Sequence, residues 1–521
     1  MNANYRNGEN WFHPAHVSPT IWAMTPSPDP QRPVPQTLRH PHPATQGRRH
    51  LIVGLGVVVV PLDSSVNIAF PYMTDHFAIG VSDTKLIVIS FILTSISLLL
   101  IAGRAGDVWG HRLVFQAGLV ISAVGLALVA LAPTFPVLLA ARVLQGTGGA
   151  LLIGSSPALA IGLFPENRRG LVIGAYAMMF AVGTAGGPII GGFLIDAWDW
   201  QAVYWYRVPI ALAALILSPL LTVPASGPEK PPAFDFGGAI MLGVAIAALF
   251  IALNLAWDGG LSWAVFAVIA AIAFALFVRR QIHFTEPIID LALFHRPWFS
   301  GFAVASLLIN LAAFSIMLLT PFYLRRISGL GAAEAGLILA SFPAGLAVAA
   351  LATGRLLGRL DLAPANGKIG GGARPPARAQ AARLLLFAPL VTGSGLWLIG
   401  GWSSATGTAA MLAAMVLTGV GLGIFQAAYF YIVTDDIPPA NRGVAGSLAE
   451  LTRSAGNLAA ATLFFEIFRI LSASSSSGDG DFLAGYQATL HWAAAISILV
   501  FVLVFIAGWG QRVGAKSGPP G

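Results

Sequence analysis

The chain has 521 residues, 56% of them hydrophobic and only 10% charged, with a mean hydropathy of +0.77. Soluble domains carry about 25% charged residues, so a chain this poor in charge cannot cover a surface in water and reads as an all-α polytopic membrane protein. The net charge of +7 sits mostly in short connections between apolar runs, which argues against a nucleic-acid partner, and the absence of cysteine excludes disulfides, thiolate metal sites and Cys-ligated clusters.

Residues 1–49 are rich in Pro, His, Asn and Arg and lack periodicity, so they are expected to form a disordered cytoplasmic tail. His40 and His42 in this tail read as solvated rather than metal-binding, and neither a metal nor a cofactor is expected. Arg48-Arg49 precedes an apolar run with no small-residue cleavage site that continues past Asp63, so the run reads as a first transmembrane helix.

A membrane helix needs roughly 20 apolar residues. About fourteen runs qualify: 51–73, 85–105, 112–132, 135–164, 169–195, 201–223, 236–256, 261–279, 299–323, 332–356, 383–401, 407–434, 442–470 and 486–510. With a cytoplasmic N-terminus, the inside loops hold most of the arginines, among them Arg104, Arg112, Arg168, Arg279, Arg355, Arg359 and Arg512, whereas the outside loops hold little beyond Lys85, Arg325 and Arg326. The bias places both termini inside.

The first span carries Leu62-Asp63-Ser-Ser-Val-Asn67. At 1.5 Å per residue Asp63 lies roughly 18 Å into the helix, near the midplane. Asn67 follows one turn later. A lone carboxyl in that setting suits proton uptake and release; a static pairing with Arg142 is the alternative. After the second span, Gly103-Arg-Ala-Gly-Asp107-Val-Trp-Gly110-His-Arg112 makes a charged hinge in which Asp107 and Arg112 are able to pair or cap. The fourth span carries Arg142 and Gln145, three apart on one face, followed by Gly146-Thr-Gly148-Gly149. No strand precedes these glycines, which rules out a phosphate loop.

In the fifth span Gly183, Gly187 and Gly191 recur every fourth residue, beside Pro188 and Gly192. They make a bare face on which another helix packs closely. Tyr206-Arg207-Val-Pro209 opens the sixth span, where Arg207 is expected to snorkel to the interface, the alternative being an anionic substrate. The second half adds Asn310, Gln426, Tyr429, Glu450 and Arg453. Glu450 is either a second proton site or the counter-ion of Arg453 three residues on. The polar candidates for a substrate cavity are Asn67, Gln145, Asn310, Gln426 and Tyr429, with the aromatic rings of Phe180, Tyr204 and Phe425 as further candidates.

A degenerate repeat is visible. Gly103-Arg104 ends span two and Gly354-Arg355-Leu-Leu-Gly358-Arg359 ends span ten; Gln145-Gly-Thr-Gly-Gly in span four has a counterpart in Gly419-Val-Gly-Leu-Gly423 of span twelve. An offset of eight helices fits two six-helix bundles separated by two extra helices. The expected division is a bundle over 50–223, a linker with two helices over 224–298, a bundle over 299–511 and a short tail over 512–521.

On these motifs the chain resembles the major facilitator superfamily, in particular its fourteen-helix drug:proton antiporter branch. The hinge is similar to that family's loop between helices two and three at Gly103, Asp107, Gly110 and Arg112, and departs from it at Ala105 and Leu113. The resemblance implies that this loop is a conformational latch and that Arg142 is linked to proton transfer. It also implies that Gly183-Thr-Ala-Gly-Gly187-Pro188-Ile-Ile-Gly191-Gly192 is the antiporter motif of exporters. A further departure is Trp200-Gln201 where the family commonly has Trp-Arg. The expectation is therefore a monomeric carrier in the cell membrane that exports small amphipathic molecules in exchange for protons, with Asp63, Arg142 and Glu450 as coupling residues. An uptake carrier of the same fold is the alternative, and a non-transporting scaffold or receptor a weaker one. No nucleophile–base pair or metal spacing supports an enzyme.

Overall fold

Fourteen helices are long and apolar enough to cross a bilayer among the residues that the computed structural model describes, which are 52–163, 169–221, 235–257, 260–284, 297–362, 376–436, 442–472 and 479–514. The tail with His40 and His42, and the Ser474–Ser477 run, lie outside them. The helices are α1 (Ile52–Phe77), α2 (Val81–Trp109), α3 (His111–Ala130), α4 (Phe135–Gly162), α5 (Gly174–Trp198), α6 (Ala202–Leu220) and α7 (Phe236–Ala256), followed by α8 (Ser262–His283), α9 (Phe299–Arg326), α10 (Ala332–Leu360), α11 (Ala377–Gly400), α12 (Thr408–Thr434), α13 (Ala449–Ser472) and α14 (Gly480–Gly508). Helix is the required outcome in lipid, because it satisfies every backbone N–H and C=O within its own segment. The order follows the fourteen predicted runs, with α1 longer than expected at its C-terminal end and α14 at its N-terminal end.

Small residues set the packing, because lipid provides no hydrophobic drive between helices and close backbone approach replaces it. The same construction occurs twice. In the first half, a Cβ on Gly146 of α4 would stand 2.7 Å from the Phe91 carbonyl oxygen of α2, and one on Gly148 would stand 2.6 Å from Ser122 N of α3. In the second half, a Cβ on Gly419 of α12 would stand 2.9 Å from Leu346 N of α10, and one on Gly421 would stand 2.9 Å from Thr392 Cα of α11. The return contact is also repeated: Gly125 of α3 abuts Gln145 of α4, and Gly395 of α11 abuts Thr418 of α12. The glycine-rich segments of spans four and twelve thus do the same structural task, eight helices apart.

The two extra helices pack on each other. α7 lies against α2 of the first half, where the Ser97 hydroxyl donates to the Gly243 carbonyl at 3.3 Å. It also touches α13 of the second half, where the Asn254 amide donates to Thr462 Oγ1 at 3.2 Å. α8 turns Val265, Val268, Ile272 and Phe274 outward, an apolar surface suited to lipid. Asp235 at the start of α7 is fully buried and is satisfied by Arg280, by Gln281 and by the Gly238 N–H.

Between the halves, α5 packs on α10. A methyl on Gly336 would run into the Pro188 carbonyl, and one on Gly192 into the Ala332 carbonyl. Polar contacts between the halves gather at the end that carries the α1–α2, α5–α6 and α9–α10 turns. There the Asp196 carboxylate accepts the N–H groups of Ala332 (3.0 Å) and Ala333 (2.9 Å), the first turn of α10. Arg325 of α9 pairs with Asp75 of α1 at 2.8 Å and stacks over the Tyr72 ring at 3.9 Å. Lys85 of α2 pairs with the buried Glu466 of α13, which also holds Arg469 at 2.7 Å.

Candidate functional site

The first helix is broken where its acid lies. Residues 52–58 are helical, the chain turns at 59–60, Pro61–Ser64 form one 3-10 turn, and the α-helix resumes over Ser65–Phe77. Pro61 has no N–H to donate and its ring crowds the preceding turn. The break frees carbonyls that must find other donors. Arg207 Nη2 donates to the Val59 carbonyl at 2.9 Å, and the Tyr206 hydroxyl approaches the Leu62 carbonyl at 3.4 Å. The Ser64 hydroxyl in turn donates to the Thr184 carbonyl of α5 at 2.9 Å.

Asp63 sits inside this break and is not a lone carboxyl. Its Oδ1 accepts from Arg142 Nη1 (2.9 Å), Arg207 Nη1 (2.7 Å) and Gln145 Nε2 (2.9 Å), and its Oδ2 accepts from Arg142 Nη2 (3.0 Å). Arg142 is completed by the Gln145 Oε1 (2.8 Å) and the Ile87 carbonyl (3.1 Å), and its guanidinium lies 4.5 Å from the Phe91 ring centroid. One carboxylate therefore ties together α1, α4 and α6. Arg142 and Arg207 are 2% and 1% exposed, whereas the Asp63 side chain keeps 14%. The expected snorkelling of Arg207 is corrected here: its side chain turns inward, because Asp63 and the freed Val59 carbonyl offer it partners that lipid does not. The pairing of Asp63 with Arg142 is present, joined by a second guanidinium that spacing gave no means to foresee.

The glycine face of α5 packs onto the same break. A Cβ on Gly183 would stand 2.8 Å from Pro61 Cγ, one on Gly187 would stand 2.9 Å from Ser65 N, and one on Gly191 would stand 2.9 Å from Ser65 Cβ. Gly192 does not share this face; it packs on α10 in the other half, as does the Pro188 carbonyl. The motif therefore has two working sides. One seats the break of α1, and the other seats α10.

The hinge after α2 turns at Gly110, whose φ of +92° excludes a side chain without strain. Gly103 passes close to Gly154 of α4. Asp107 pairs with Arg104 at 3.2 Å and with His111 at 3.3 Å, within its own turn, rather than with Arg112. Arg104 lies three residues back on the same helix face, whereas His111 opens the next helix and is brought to the carboxylate by the reversal of the chain at Gly110.

The other sequence-derived candidates divide in two. Gln145 belongs to the Asp63 cluster, and Asn67 is buried four residues beyond Asp63. Asn310 and Gln426 bond to each other at 3.1 Å between α9 and α12, with Asn310 also donating to the Ser306 carbonyl. Tyr429 is buried and stacks on Phe425 with ring centroids 6.1 Å apart. Glu450 is held by Arg453 through bonds of 3.1 and 2.5 Å and by the Ser454 hydroxyl at 3.1 Å. Both partners lie on α13 within about one turn of Glu450. Arg453 also lies 5.8 Å from the Phe180 ring centroid of α5, and Gly456 seats α13 against Leu307 and Asn310 of α9. Sequence reading missed Glu466 and Asp196. An acid inside an apolar run, three residues before Arg469, was the available signal for Glu466.

Residues 53–236 and 233–461 match the family model of the Major Facilitator Superfamily. The chain is 30% identical over 410 residues to the tetracenomycin C resistance and export protein of Streptomyces glaucescens, an alignment covering 78% of this chain and 73% of that one. It is 29% identical to the multidrug efflux pump LfrA of Mycolicibacterium smegmatis, with 80% of each chain covered. Among solved structures, a bacterial homolog of the human lysosomal transporter Spinster, inward-facing and unoccupied, superposes with a TM-score of 0.61 at 13% identity, covering 92% of this chain and all of that one. A POT family transporter in complex with 5-aminolevulinic acid gives a TM-score of 0.65 at 15% identity, covering 91% and 98%. At such identities the likeness is one of fold. The chain belongs to the major facilitator superfamily and is a multi-pass membrane transporter, not an enzyme.

Proposed function

We propose that this transporter exports small amphipathic organic molecules, drugs among them, in exchange for protons by alternating access, with Asp63 as the group that takes and releases the proton. The observation that carries the reading is the buried cluster of Asp63, Arg142, Gln145 and Arg207 at the break in α1. The relatives' names, which speak of resistance, export and efflux, support the direction.

Neutralising Asp63 removes the charge that holds α1, α4 and α6 together. Charge-assisted hydrogen bonds contribute roughly 1.5–3 kcal/mol each, so losing that assistance is enough to bias a two-state element. The element is at hand: α5 rests on the break through Gly183, Gly187 and Gly191, and on α10 through Pro188 and Gly192. A shift at Asp63 is thereby passed to the contact between the halves. Asp107, engaged within its own turn, fits a latch that is released in this conformation. With both termini cytoplasmic in the cell membrane, the end held by Asp196, Arg325 and Lys85 faces outward, and a bundle over 50–223, a two-helix linker over 224–298 and a bundle over 299–511 make up a working monomer. Glu450, tied to Arg453, serves as counter-ion in this scheme.

One charge moving through 100 mV supplies about 2.3 kcal/mol, which corresponds to roughly fifty-fold accumulation. The test is a fluorescent-drug assay in everted vesicles with an imposed pH gradient. Wild type loads the vesicles, whereas Asp63→Asn loses proton-driven loading and keeps downhill exchange. Gradient-driven loading that survives in Asp63→Asn sinks the coupling role, and movement in the opposite direction favours an uptake carrier.

A further inference from the structure

The hairpin of the two extra helices carries a basic groove outside the Asp63 cluster. Among the described residues, α8 is the least buried of the fourteen spans. Ile269, Ile272, Leu276, Arg279, Arg280 and His283 are exposed on it and recur at helical spacing, so they share one face. The stripe begins apolar and ends basic, at the end of the bundle opposite Asp196. A cavity of about 440 Å³ opens there, lined by Met241 of α7 and by Leu276, Arg279, Arg280, His283 and Phe284. Ligand sites commonly measure about 300–1,000 Å³.

Arg280 is held in place rather than left to swing. Its Nε donates to the buried Asp235, and its guanidinium lies across the backbone of Gly237, where a Cβ would stand 2.9 Å from Cζ. The Phe284 ring centroid is 5.5 Å away. Neither terminal nitrogen of Arg280 bonds to a described residue, and the side chain stays 42% exposed. Asp235 is also taken by Gln281 and by the Gly238 N–H, so its charge is spent. Arg279 is exposed and pairs with no acid among the described residues. His283 Nδ1 donates to the Arg279 carbonyl at 2.7 Å, which leaves Nε2 as the acceptor of the neutral ring. The helix dipole and snorkelling both favour basic residues at such a place. Neither accounts for a guanidinium pinned over a bare glycine with its terminal nitrogens unused, beside a cavity and a second cation.

We propose that this groove binds an anionic phospholipid. Guanidiniums match phosphate oxygens in pairs, and basic pockets between membrane helices suit charged lipid headgroups. Arg279 and the terminal nitrogens of Arg280 take the phosphate, His283 Nε2 accepts from a headgroup hydroxyl, and an acyl chain lies along Leu276, Ile272 and Ile269. A soluble phosphate would use the basic end and leave the apolar stripe idle. α7 meets both halves, through Ser97 of α2 and Thr462 of α13, so a lipid at the base of this hairpin braces the element that bridges them. The site stands apart from Asp63, and neither role depends on the other.

The test uses full-length protein in detergent, with native mass spectrometry counting the lipid retained from equimolar phosphatidylglycerol and phosphatidylcholine of identical acyl chains. Wild type should retain phosphatidylglycerol in preference, and its melting temperature should rise with that lipid and not with the other. Arg279→Gln should lower the ratio of the two roughly fivefold, the worth of one arginine at a lipid surface. Gly237→Ala keeps every charge and pushes Arg280 off its seat, so the ratio should fall there as well. Arg383→Gln makes the same charge change at an exposed position of α11 and should leave the ratio unaltered. Equal retention of both lipids by wild type, an equal drop in Arg279→Gln and Arg383→Gln, or an unaltered ratio in Arg279→Gln or in Gly237→Ala overturns the proposal. Displacement of phosphatidylglycerol by inorganic phosphate alone also overturns it, because it marks a site for a soluble anion.

Discussion

Asp196→Ala is the most direct test of how the halves are held together. The Asp196 carboxylate accepts two backbone N–H groups from the first turn of α10, at 3.0 and 2.9 Å, across the contact between the halves. Those donors are free ends of a helix, and the helix dipole adds to the attraction. Charge-assisted bonds contribute about 1.5–3 kcal/mol each when buried, and the contact here is partly exposed, so about 2 kcal/mol for the pair is a fair sum. That is a roughly thirty-fold shift in the equilibrium between closed and open at this end. The chain has no cysteine, which makes site-specific labelling clean. Thr134 and Ser404 lie exposed in the α3–α4 and α11–α12 turns, at the same end and in opposite halves. Spin labels on Thr134→Cys and Ser404→Cys should report a longer-distance population that grows in Asp196→Ala. An unchanged distance distribution would refute the clasp, and with it the view that the α10 N-terminus is held shut from across the interface.

Two further outcomes follow from the α5 and α13 contacts. Gly187→Ala puts a methyl against Ser64 and 2.9 Å from Ser65 N. Overpacking of this kind costs about 1–3 kcal/mol, so melting in detergent should fall and proton-driven loading should fall with it. Gly174→Ala on the same helix meets open space and should leave both unaltered, and similar behaviour of the two variants would dissolve the link between the glycine face and the break. Glu450→Gln keeps its hydrogen-bonding shape and loses its charge, and as a counter-ion change it should lower stability while sparing the pH dependence of transport; a shifted pH profile would restore Glu450 as a proton site.

Much of the fold is legible in the sequence. Fourteen apolar runs became fourteen helices because lipid leaves the backbone no alternative. The glycine spacing of α5 announced a close approach, and the eight-helix offset between Gly146-Thr-Gly148 and Gly419-Val-Gly421 appeared as equivalent contacts in each half. Asp63 and Arg142 stood out because charges inside apolar runs are rare.

The sequence by itself determined the class, the span order, the repeat and the short list of buried charges, since each depends on composition or on spacing along one helix. Only the tertiary structure decided partners. Arg207 and Asp63 are 144 residues apart, and nothing local distinguishes an arginine that snorkels from one that turns inward to a broken helix. The break in α1, the second guanidinium on its acid, the split of the glycine motif between α1 and α10, and the seat of α10 on Asp196 all arise where segments far apart in the chain must satisfy one another's polar groups without water.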